Sequence, residues 1–196
     1  MPCTLLDLAT ARVMPWKNGG GETLELAIAP AGAGLEDFAW RISCARVASS
    51  GPFSRFPGVD HSLALLAGES LTLQRAGAGS QRLRPGEAPL AFTGEESICA
   101  ALDAGPVRDF NLMTRRDAWR HELQLLPLDG ERTLENAAEV LLLWCQAGSN
   151  LGCQLPDGQH LRLDPDRGLL LEKETGRLTL RSAQPARLYV GRMYRR

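Results

Sequence analysis

The sequence predicts an all-β protein in which one β-barrel module occurs twice. Apolar and polar residues alternate with period two in several short runs, and glycine- and proline-rich turns separate these runs. Short strands at regular spacing are typical of a barrel or a sandwich. Segments that begin at Pro106 and Pro185 match at an offset of 79 residues, as do segments that begin at Leu90 and Leu169. A constant offset indicates an internal repeat; the alternative is that strand–turn patterns look alike in any all-β chain.

The individual elements follow from the same periodicity. The predicted strands include residues 23–28, 38–44, 63–66 and 71–74. Residues 169–172 and 177–181 flank a turn at 174–176, which predicts a β-hairpin. Residues 131–140 are the one segment that favours a short helix.

Composition and charge exclude several classes of protein. The chain has 196 residues, of which 44% are hydrophobic, and its net charge is -1, so it offers no electrostatic footprint for nucleic acid. No apolar run approaches the ~20 residues of a membrane span, and no secretory signal is visible at the start. The five cysteines lack C-x-x-C spacing. We therefore expect a cytoplasmic protein without a disulfide framework, which binds neither nucleic acid nor membrane.

A glycine-rich segment near the N-terminus is the strongest candidate for a binding site. Trp16, Lys17 and Asn18 precede the three consecutive glycines 19–21, and Thr23 follows them. Three glycines in a row suit a sharp turn or a close approach of a ligand to the backbone. An aromatic ring, a cation and an amide are groups that hold a small polar ligand. The alternative is a glycine-rich turn between two strands.

Two predicted strands add polar faces to this candidate site. Arg41 and Ser43 share one face of their strand, and a guanidinium beside a hydroxyl suits a carboxylate. Asp109, Asn111 and Met113 share a face of a later strand, where Asn111 can donate to and accept from an amide or formyl group. The alternatives are a solvent-facing strand edge and an ordinary asparagine at the end of a loop.

The turn-rich segment 51–61 predicts either a rim beside a pocket or a plain connector between strands. It contains Phe56, Asp60 and His61, which complete the list of candidate ligand-binding residues. The three histidines of the chain lie far apart and form no H-x-H pair, so neither a metal nor another cofactor is expected. No nucleophile motif of the G-x-S-x-G type is present, and no catalytic residue is assigned.

Four segments occur in a fixed order across residues 13–116: PWKNGGGETLEL, FAWRIS, GPFSRFPGVDHSLALLAGE and RDFNLMTRR. Together they resemble the HutD/Ves family. The resemblance implies a bicupin, with two RmlC-like jelly-roll cupin modules in one bacterial chain. The first module would span residues 1–113 and hold the ligand pocket, and the second would span residues 114–196, with shared strands and one continuous core. Cupin modules often pair, so a homodimer is expected as a partner state.

The family resemblance also implies a role beside histidine-utilisation genes, in which the protein binds a pathway intermediate such as N-formylglutamate or urocanate. We therefore expect a non-catalytic sensor of a small acidic metabolite that regulates histidine utilisation. Lys17 and Arg41 would bind the carboxylates and Asn111 the formyl group. Trp16 and Phe56 would form apolar walls, and the glycines 19–21 would offer backbone N–H groups.

Two departures from related proteins bear on this reading. Metal-dependent cupins carry an H-x-H motif where this chain has only His61, and many relatives are expected to have arginine at that position. Two alternatives stay open. One is a metal-independent, isomerase-like enzyme that uses Lys17, Asp60 and His61 on a small acid or sugar. The other is a protein-interaction module with a vestigial pocket.

Overall fold

The structure, a computed structural model, describes residues 3–16 and 20–196. These residues form strands, turns and one short 3₁₀ helix, Leu8–Thr10, and they contain no α-helix, so the all-β prediction is confirmed. This part of the chain also lacks any helix with the length and apolar character of a membrane span. The strands in chain order are β1 (Cys3–Asp7), β2 (Arg12–Pro15), β3 (Gly21–Ala29), β4 (Trp40–Val47), β5 (Gly51–Pro52), β6 (Val59–Ala67), β7 (Leu71–Arg75), β8 (Gly79–Leu83), β9 (Leu90–Thr93), β10 (Ile98–Leu102), β11 (Val107–Arg115), β12 (Trp119–Asn136), β13 (Val140–Ala147), β14 (Leu151–Gln154), β15 (His160–Leu163), β16 (Arg167–Glu172) and β17 (Gly176–Arg195).

The N-terminal unit comprises Ala11–Arg120 together with Arg196. Its six-stranded sheet runs in the order β2-β3-β4-β11-β6-β9, and its four-stranded sheet runs β5-β10-β7-β8. Apolar side chains of both sheets meet in one core, which includes Leu63, Leu73 and Ile98. The two sheets therefore enclose a common interior, toward which one face of the six-stranded sheet points.

The C-terminal unit comprises His121–Arg195 with strand β1. Its sheet runs β1-β16-β13-β17-β14-β15, and β12 also pairs with β17. Leucine dominates its core, and Cys145 and Cys153 are small buried members of it. Burial raises the pKa of the two thiols to about 11 and about 12, which makes them poor nucleophiles at neutral pH.

These units begin and end at residues other than those of the modules predicted over 1–113 and 114–196. Strand β1 pairs with β16 along its whole length, from Cys3 opposite Leu171 to Asp7 opposite Arg167. This pairing assigns the start of the chain to the C-terminal unit. The division into a ligand-binding cupin module and a second cupin module stays a prediction.

The central strand pairs of the two units have the same register. Leu63 on β6 lies opposite Asn111 on β11, and Leu143 on β13 lies opposite Val190 on β17. Val190 follows Asn111 by the 79 residues that the sequence repeat predicts. Each pair also contains a register shift near this point. It lies between Arg108 and Asp109 on β11 in one unit, and between Cys145 and Ala147 on β13 in the other.

A glycine follows the first strand of each pair. Gly68 and Gly148 have φ angles of 99° and 105°, a region that favours glycine. A Cβ on Gly68 would lie 2.7 Å from Val107, and one on Gly148 would lie 2.5 Å from Ala186. The same tight turn is therefore built twice, with the same residue type at the point of closest approach.

The helix predicted over residues 131–140 is wrong. Residues up to Asn136 extend strand β12, and the chain resumes as β13 at Val140. Glu131 and Glu135 have the four-residue spacing of a helix face, but each accepts a hydrogen bond from a distant arginine, Arg181 at 2.6 Å and Arg177 at 2.9 Å. Pairing with β17 therefore overrides the local pattern.

The hairpin predicted around residues 174–176 is also wrong. Both of its strands exist, as β16 and the start of β17, but they are not neighbours in the sheet. Strand β16 pairs with β1 and β13, whereas β17 pairs with β14 near its start and with β13 near its end. The connection is held by Asn136, whose Nδ2 donates to the carbonyl of Glu174 at 2.5 Å.

Candidate functional site

The inward face of the six-stranded sheet carries polar side chains on four neighbouring strands. Strand pairing sets them in three rows, because side chains directly opposite each other in antiparallel strands share a face about 5 Å apart. The rows, read from β3 through β4 and β11, are Thr23–Ala45–Asp109, Glu25–Ser43–Asn111 and Ile28–Arg41–Met113, and the last continues to His61 on β6. We call Glu25, Arg41, Ser43, His61, Asp109 and Asn111 the buried polar cluster.

An ion pair occupies one side of this cluster. Arg41 Nε donates to Glu25 Oε2 at 2.8 Å, and the two side chains are 6% and 11% exposed. Glu25 lies next to a β-bulge, since the register of β3 against β4 shifts between Glu25 and Ala27. A bulge re-aims the side chains beside it, and here it brings the carboxylate to the guanidinium in the neighbouring row.

Two hydrogen-bonding groups of the cluster have no partner in the described part of the chain. Arg41 uses only Nε toward Glu25, so its two terminal nitrogens are unpaired there, and the hydroxyl of Ser43 is unpaired as well. Arg41 and Ser43 are nevertheless only 5% and 2% exposed. Because buried polar groups are almost always hydrogen-bonded, these two neighbours on one strand face are the candidate binding groups of the cluster.

A hydrogen-bonded chain occupies the other side of the cluster. His61 Nε2 donates to Asn111 Oδ1 at 2.8 Å, and Asn111 Nδ2 donates to Asp109 Oδ1 at 2.6 Å. The backbone N–H of Ala45 donates to the same Asp109 oxygen at 3.0 Å. The chain fixes the amide of Asn111 between a ring and a carboxyl group, so each of its ends has a defined donor or acceptor role.

Burial controls the charge of Asp109. The side chain is 1% exposed, and the loss of hydration raises its pKa to about 7, against the opposing effect of the hydrogen bonds from Asn111 and Ala45. Asp109 is therefore partly protonated near neutral pH, which is unusual for a carboxyl group. Titratable groups with displaced pKa values are common at functional sites.

Apolar residues lie next to the polar groups of the cluster. Met113 lies between Arg41 and His61 in their row and packs with Phe38 and Val59, and Phe56 lies against this group. The ring of Phe92 lies 4.5 Å from the ring of His61. Charge interactions in such apolar surroundings are stronger than in water.

Part of the glycine-rich segment lies beside the cluster. Trp16 Nε1 donates to Thr23 Oγ1 at 2.8 Å, and the tryptophan ring packs against the core of the unit. A Cβ on Gly21 would lie 3.0 Å from this ring and 2.2 Å from the carbonyl of Arg46, so only glycine fits there. Gly20 is buried, and its carbonyl accepts from Ala48. Lys17, Asn18 and Gly19 lie outside the described residues.

The structure does not bring Asp60 into the cluster. Asp60 and His61 are consecutive on β6, and successive side chains of a strand point to opposite faces. Asp60 accepts from Arg116 Nε at 2.6 Å, and Arg116 also binds both oxygens of Glu95 at 2.8 Å. This pairing holds the pKa of Glu95 at about 2.

Phe56 lies at a small concavity of about 270 Å³, which is also lined by Leu35, Arg55 and Arg115. A larger open groove of about 770 Å³ lies in the C-terminal unit, where exposed residues such as His160, Arg162 and Arg181 line it. Neither concavity contains a member of the buried polar cluster. The candidate site is therefore defined by the buried polar groups and not by the most open surface.

The surroundings of His61 do not fit the metal of metal-dependent cupins. Its ring donates to an amide oxygen and lies against Phe92, and Met113 is its neighbour across the strands. A first-row metal needs several imidazole, thiolate or carboxylate ligands. Within residues 3–16 and 20–196, no three such side chains are grouped to hold one. The donor set suits hydrogen bonding to an organic ligand.

Sequence reasoning did not assign Glu25 or Asp109 to the site. Both have a visible signal, because Glu25 alternates with Thr23 and Asp109 alternates with Asn111 along their strands. What the sequence does not show is the bulge after Glu25 and the pairing that brings it to Arg41. Their roles depend on contacts between residues far apart in the chain.

Comparison with known proteins gives several matches. The HutD family model matches residues 8–190. A protein from Pseudomonas putida, described as an uncharacterized 21.2 kDa protein in the hutC 3' region, is 40% identical over 131 residues, which are 67% of each chain. Protein Ves of Escherichia fergusonii is 36% identical over 120 residues, which are 61% of each chain.

Solved structures give the same result across the whole chain. A conserved protein of unknown function from Pseudomonas aeruginosa PAO1 shares 33% identity at a TM-score of 0.90, and the match covers 99% of this chain and 100% of that one. HutD from Pseudomonas fluorescens SBW25 shares 28% identity at a TM-score of 0.83, with 99% of both chains covered. An oxalate decarboxylase from Lactobacillus farciminis, at 5% identity and a TM-score of 0.68 over 96% of this chain and 85% of that one, is similar in fold alone.

These matches decide the fold and the family. The structural neighbours have the cupin fold, so the expected cupin class is confirmed. The resemblance drawn from the four segments of residues 13–116 is confirmed as well. By its match over residues 8–190 and by its relatives, the chain belongs to the HutD family, which is linked by name to histidine utilisation.

Proposed function

We propose that the N-terminal unit binds a small acidic metabolite that carries an amide or formyl group, such as N-formylglutamate, and that this binding regulates histidine utilisation without catalysis. One observation carries the proposal. Arg41 and Ser43 are buried residues, and neither the terminal nitrogens of Arg41 nor the hydroxyl of Ser43 has a hydrogen-bond partner among the described residues. A ligand carboxylate would satisfy both, since a guanidinium fork matches a carboxylate and a hydroxyl adds a further donor.

The remaining groups fit the rest of such a ligand. Asn111 uses one N–H and one lone pair toward Asp109 and His61, so it keeps a second donor and a second acceptor for a formamide. Met113, which lies between Arg41 and His61, and the ring of Trp16 supply apolar surface for such a ligand. Lys17 stays the sequence-based candidate for a second carboxylate, and urocanate is the alternative ligand with one carboxylate.

Such contacts support useful affinity. A hydrogen bond to a charged group contributes about 1.5–3 kcal/mol net. Two or three of them, with burial of the ligand's apolar atoms, reach the ~8 kcal/mol that corresponds to a dissociation constant of about 1 μM. An intracellular metabolite sensor therefore needs no contacts beyond those that the cluster can offer.

Isothermal titration calorimetry with N-formylglutamate, urocanate and glutamate tests the proposal. We expect heat from at least one of the first two, and its loss in the double variant Arg41→Met, Glu25→Gln. The double change removes the ion pair without leaving one buried charge alone. Arg82→Ala is the matched control, because Arg82 lies on β8 of the four-stranded sheet, is half exposed and forms its ion pair with Asp103. No heat from any of the three compounds, at concentrations that would reveal binding at ~100 μM, removes the proposal.

A second function is favoured by the chain from His61 through Asn111 to Asp109. The His61 ring is held by the amide of Asn111, which the buried Asp109 fixes in turn, and an oriented imidazole can act as a general acid or base. Incubation of the protein with the same compounds, followed by mass spectrometry, separates the two functions. Product formation that His61→Gln abolishes, while binding is retained, would favour an enzyme.

A further inference from the structure

The residues of the buried polar cluster are nearly closed off from solvent, so a ligand needs a route to reach them. Arg41 and His61 are each 5% exposed, and they share a row with Met113. The next position of the same face on β11 is Arg115, which lies opposite Val59 on β6. Two residues of a strand span about 7 Å, so this next row lies about 7 Å beyond the row of the cluster.

The smaller concavity lies at this end of the sheet face. Arg115, Val59 and Phe56 are among the residues that line it. Between the concavity and the cluster, Met113 packs with Phe38 and Val59, and Phe56 lies against this group. We call Met113, Phe38, Val59 and Phe56 the apolar layer. It extends from the row of the cluster to the lining of the concavity.

Phe56 is the least buried residue of the apolar layer. Its side chain is half-buried, whereas the other three residues are at most 2% exposed. Its main chain is fixed on both sides, because its N–H donates to the carbonyl of Gly94 at 2.7 Å and its carbonyl accepts from the N–H of Val59 at 3.2 Å. A change of the Phe56 rotamer therefore needs no movement of the backbone.

The lining of the concavity carries more positive than negative charge. Arg55 and Arg115 line it, and Glu36 is the one acidic residue among the described residues of the lining. Both arginines donate to neutral carbonyl groups. Arg115 donates to those of Glu36 at 2.7 Å and Pro57 at 3.2 Å, and Arg55 donates to that of Glu95 at 3.0 Å. Cations at the mouth of a cleft raise the rate at which anions enter it.

The glycine-rich segment lies at the other end of the rows. Gly21 lies opposite Val47, which in turn lies opposite Val107, and Trp16 packs against the apolar core there. Lys17 lies outside the described residues and stays the candidate for a second carboxylate of the ligand. An entrance beside this segment is the competing route.

We infer that ligands reach the buried polar cluster through the smaller concavity, that the side chain of Phe56 is the gate of this entrance, and that Arg55 and Arg115 attract anions to it. This inference rests on the binding role proposed above. A gate slows association and dissociation together and leaves the affinity unchanged. A wall that touches the bound ligand acts on the dissociation rate and on the affinity.

Nuclear magnetic resonance of the full chain, labelled with ¹³C at the methionine methyl groups, measures the rates. The chain has four methionines, and Met113 lies between Arg41 and His61, so its methyl signal reports occupation of the cluster. Titration with N-formylglutamate gives the dissociation rate constant from the line shape, and calorimetry gives the dissociation constant. We expect Phe56→Ala to raise both rate constants about tenfold and to change the dissociation constant less than about threefold. Phe53→Ala is the matched control, because Phe53 packs against the other apolar core of the unit.

A second variant tests the entrance without changing Phe56. Arg55 is exposed, so Arg55→Glu should leave the fold intact and lower the association rate constant several-fold at low salt. The effect should vanish near 1 M salt, where the Debye length is about 3 Å. Arg162→Glu, an exposed position of the C-terminal unit, is the control with the same change of charge.

The outcomes separate the entrance from the binding role. Unchanged rate constants in Phe56→Ala place the entrance elsewhere and overturn the inference. Faster dissociation with an unchanged association rate makes Phe56 a wall of the site and overturns it too. Equal association rates for Arg55→Glu and the wild type at low salt overturn the role of the arginines. In each case the binding role stands, whereas N-formylglutamate and urocanate that give neither heat nor a change of the Met113 signal refute the binding role and the entrance with it.

Discussion

As pH rises, the variant Asp109→Asn should become increasingly stable in comparison with the wild type, because the wild type loses stability and the variant does not. Asparagine has nearly the same shape, and its Oδ1 can accept from both Asn111 and Ala45 as the carboxyl oxygen does. The folded-state pKa of Asp109 is about 7, raised from 3.8 by burial. The stability that its protonation contributes is therefore fully present below pH 4 and is lost as pH rises through about 7.

The magnitude of the effect follows from the difference between the folded-state and unfolded-state pKa values of Asp109. A pKa raised by about 3 units changes the free energy of unfolding by about 4 kcal/mol in total, at 1.36 kcal/mol per unit. Between pH 5 and pH 8 the folded wild type loses its proton while the unfolded chain is already ionised. The free energy of unfolding of the variant, minus that of the wild type, should therefore increase by roughly 2–3 kcal/mol over this range.

Urea denaturation of both proteins at pH 5, 6, 7 and 8, followed by circular dichroism, measures this difference. All other titratable groups are the same in both proteins, so their contributions to this difference largely cancel. Asp103→Asn is the matched control, because the hydrogen bond from Arg82 lowers the pKa of Asp103, so its contribution changes below pH 4 and not in this range. Parallel pH curves for Asp109→Asn and the wild type would show that Asp109 is not protonated in the folded protein.

Three further outcomes are expected. Ser43→Ala should change the free energy of unfolding by less than ~1 kcal/mol, because its hydroxyl has no partner among the described residues, yet it should weaken binding of N-formylglutamate several-fold in calorimetry. Gly21→Ala should lower the free energy of unfolding by about 1–3 kcal/mol in urea denaturation, because the added Cβ would meet the carbonyl of Arg46. Gly51→Ala is the control and should be close to neutral, because Gly51 has open space around it. Equal effects of the two changes would contradict the packing argument. Leu143→Ala should cost about 2–5 kcal/mol, because Leu143 is fully buried in the C-terminal core, and a loss below 1 kcal/mol would show a core looser than described.

The sequence predicts well where many of the strands lie and which side chains of a strand share a face, because the alternation of polar and apolar residues is a local property. Arg41 and Ser43 share a face, as do Asn111 and Met113, and pairing of β4 with β11 sets the two faces side by side. The all-β class follows from the same local signal.

The contacts that define the site depend on distant parts of the chain. Arg41 meets Glu25 only because β3 pairs with β4 and bulges there, and His61 meets Asn111 across 50 residues of sequence. The same reason explains the error at residues 131–140, where Glu131 has the spacing of a helix but binds Arg181 on β17. Local patterns cannot show which strand will be the neighbour.

The two matching strand pairs give this chain an internal reference. Asn111 and Asp109 in the N-terminal unit correspond, 79 residues later, to Val190 and Leu188 in the C-terminal unit. The same positions of the two strand pairs therefore carry polar groups in one unit and hydrocarbon in the other. Hydrogen exchange at the equivalent amides of the two units would report, without any mutation, how much local stability a sheet loses when polar side chains replace apolar ones.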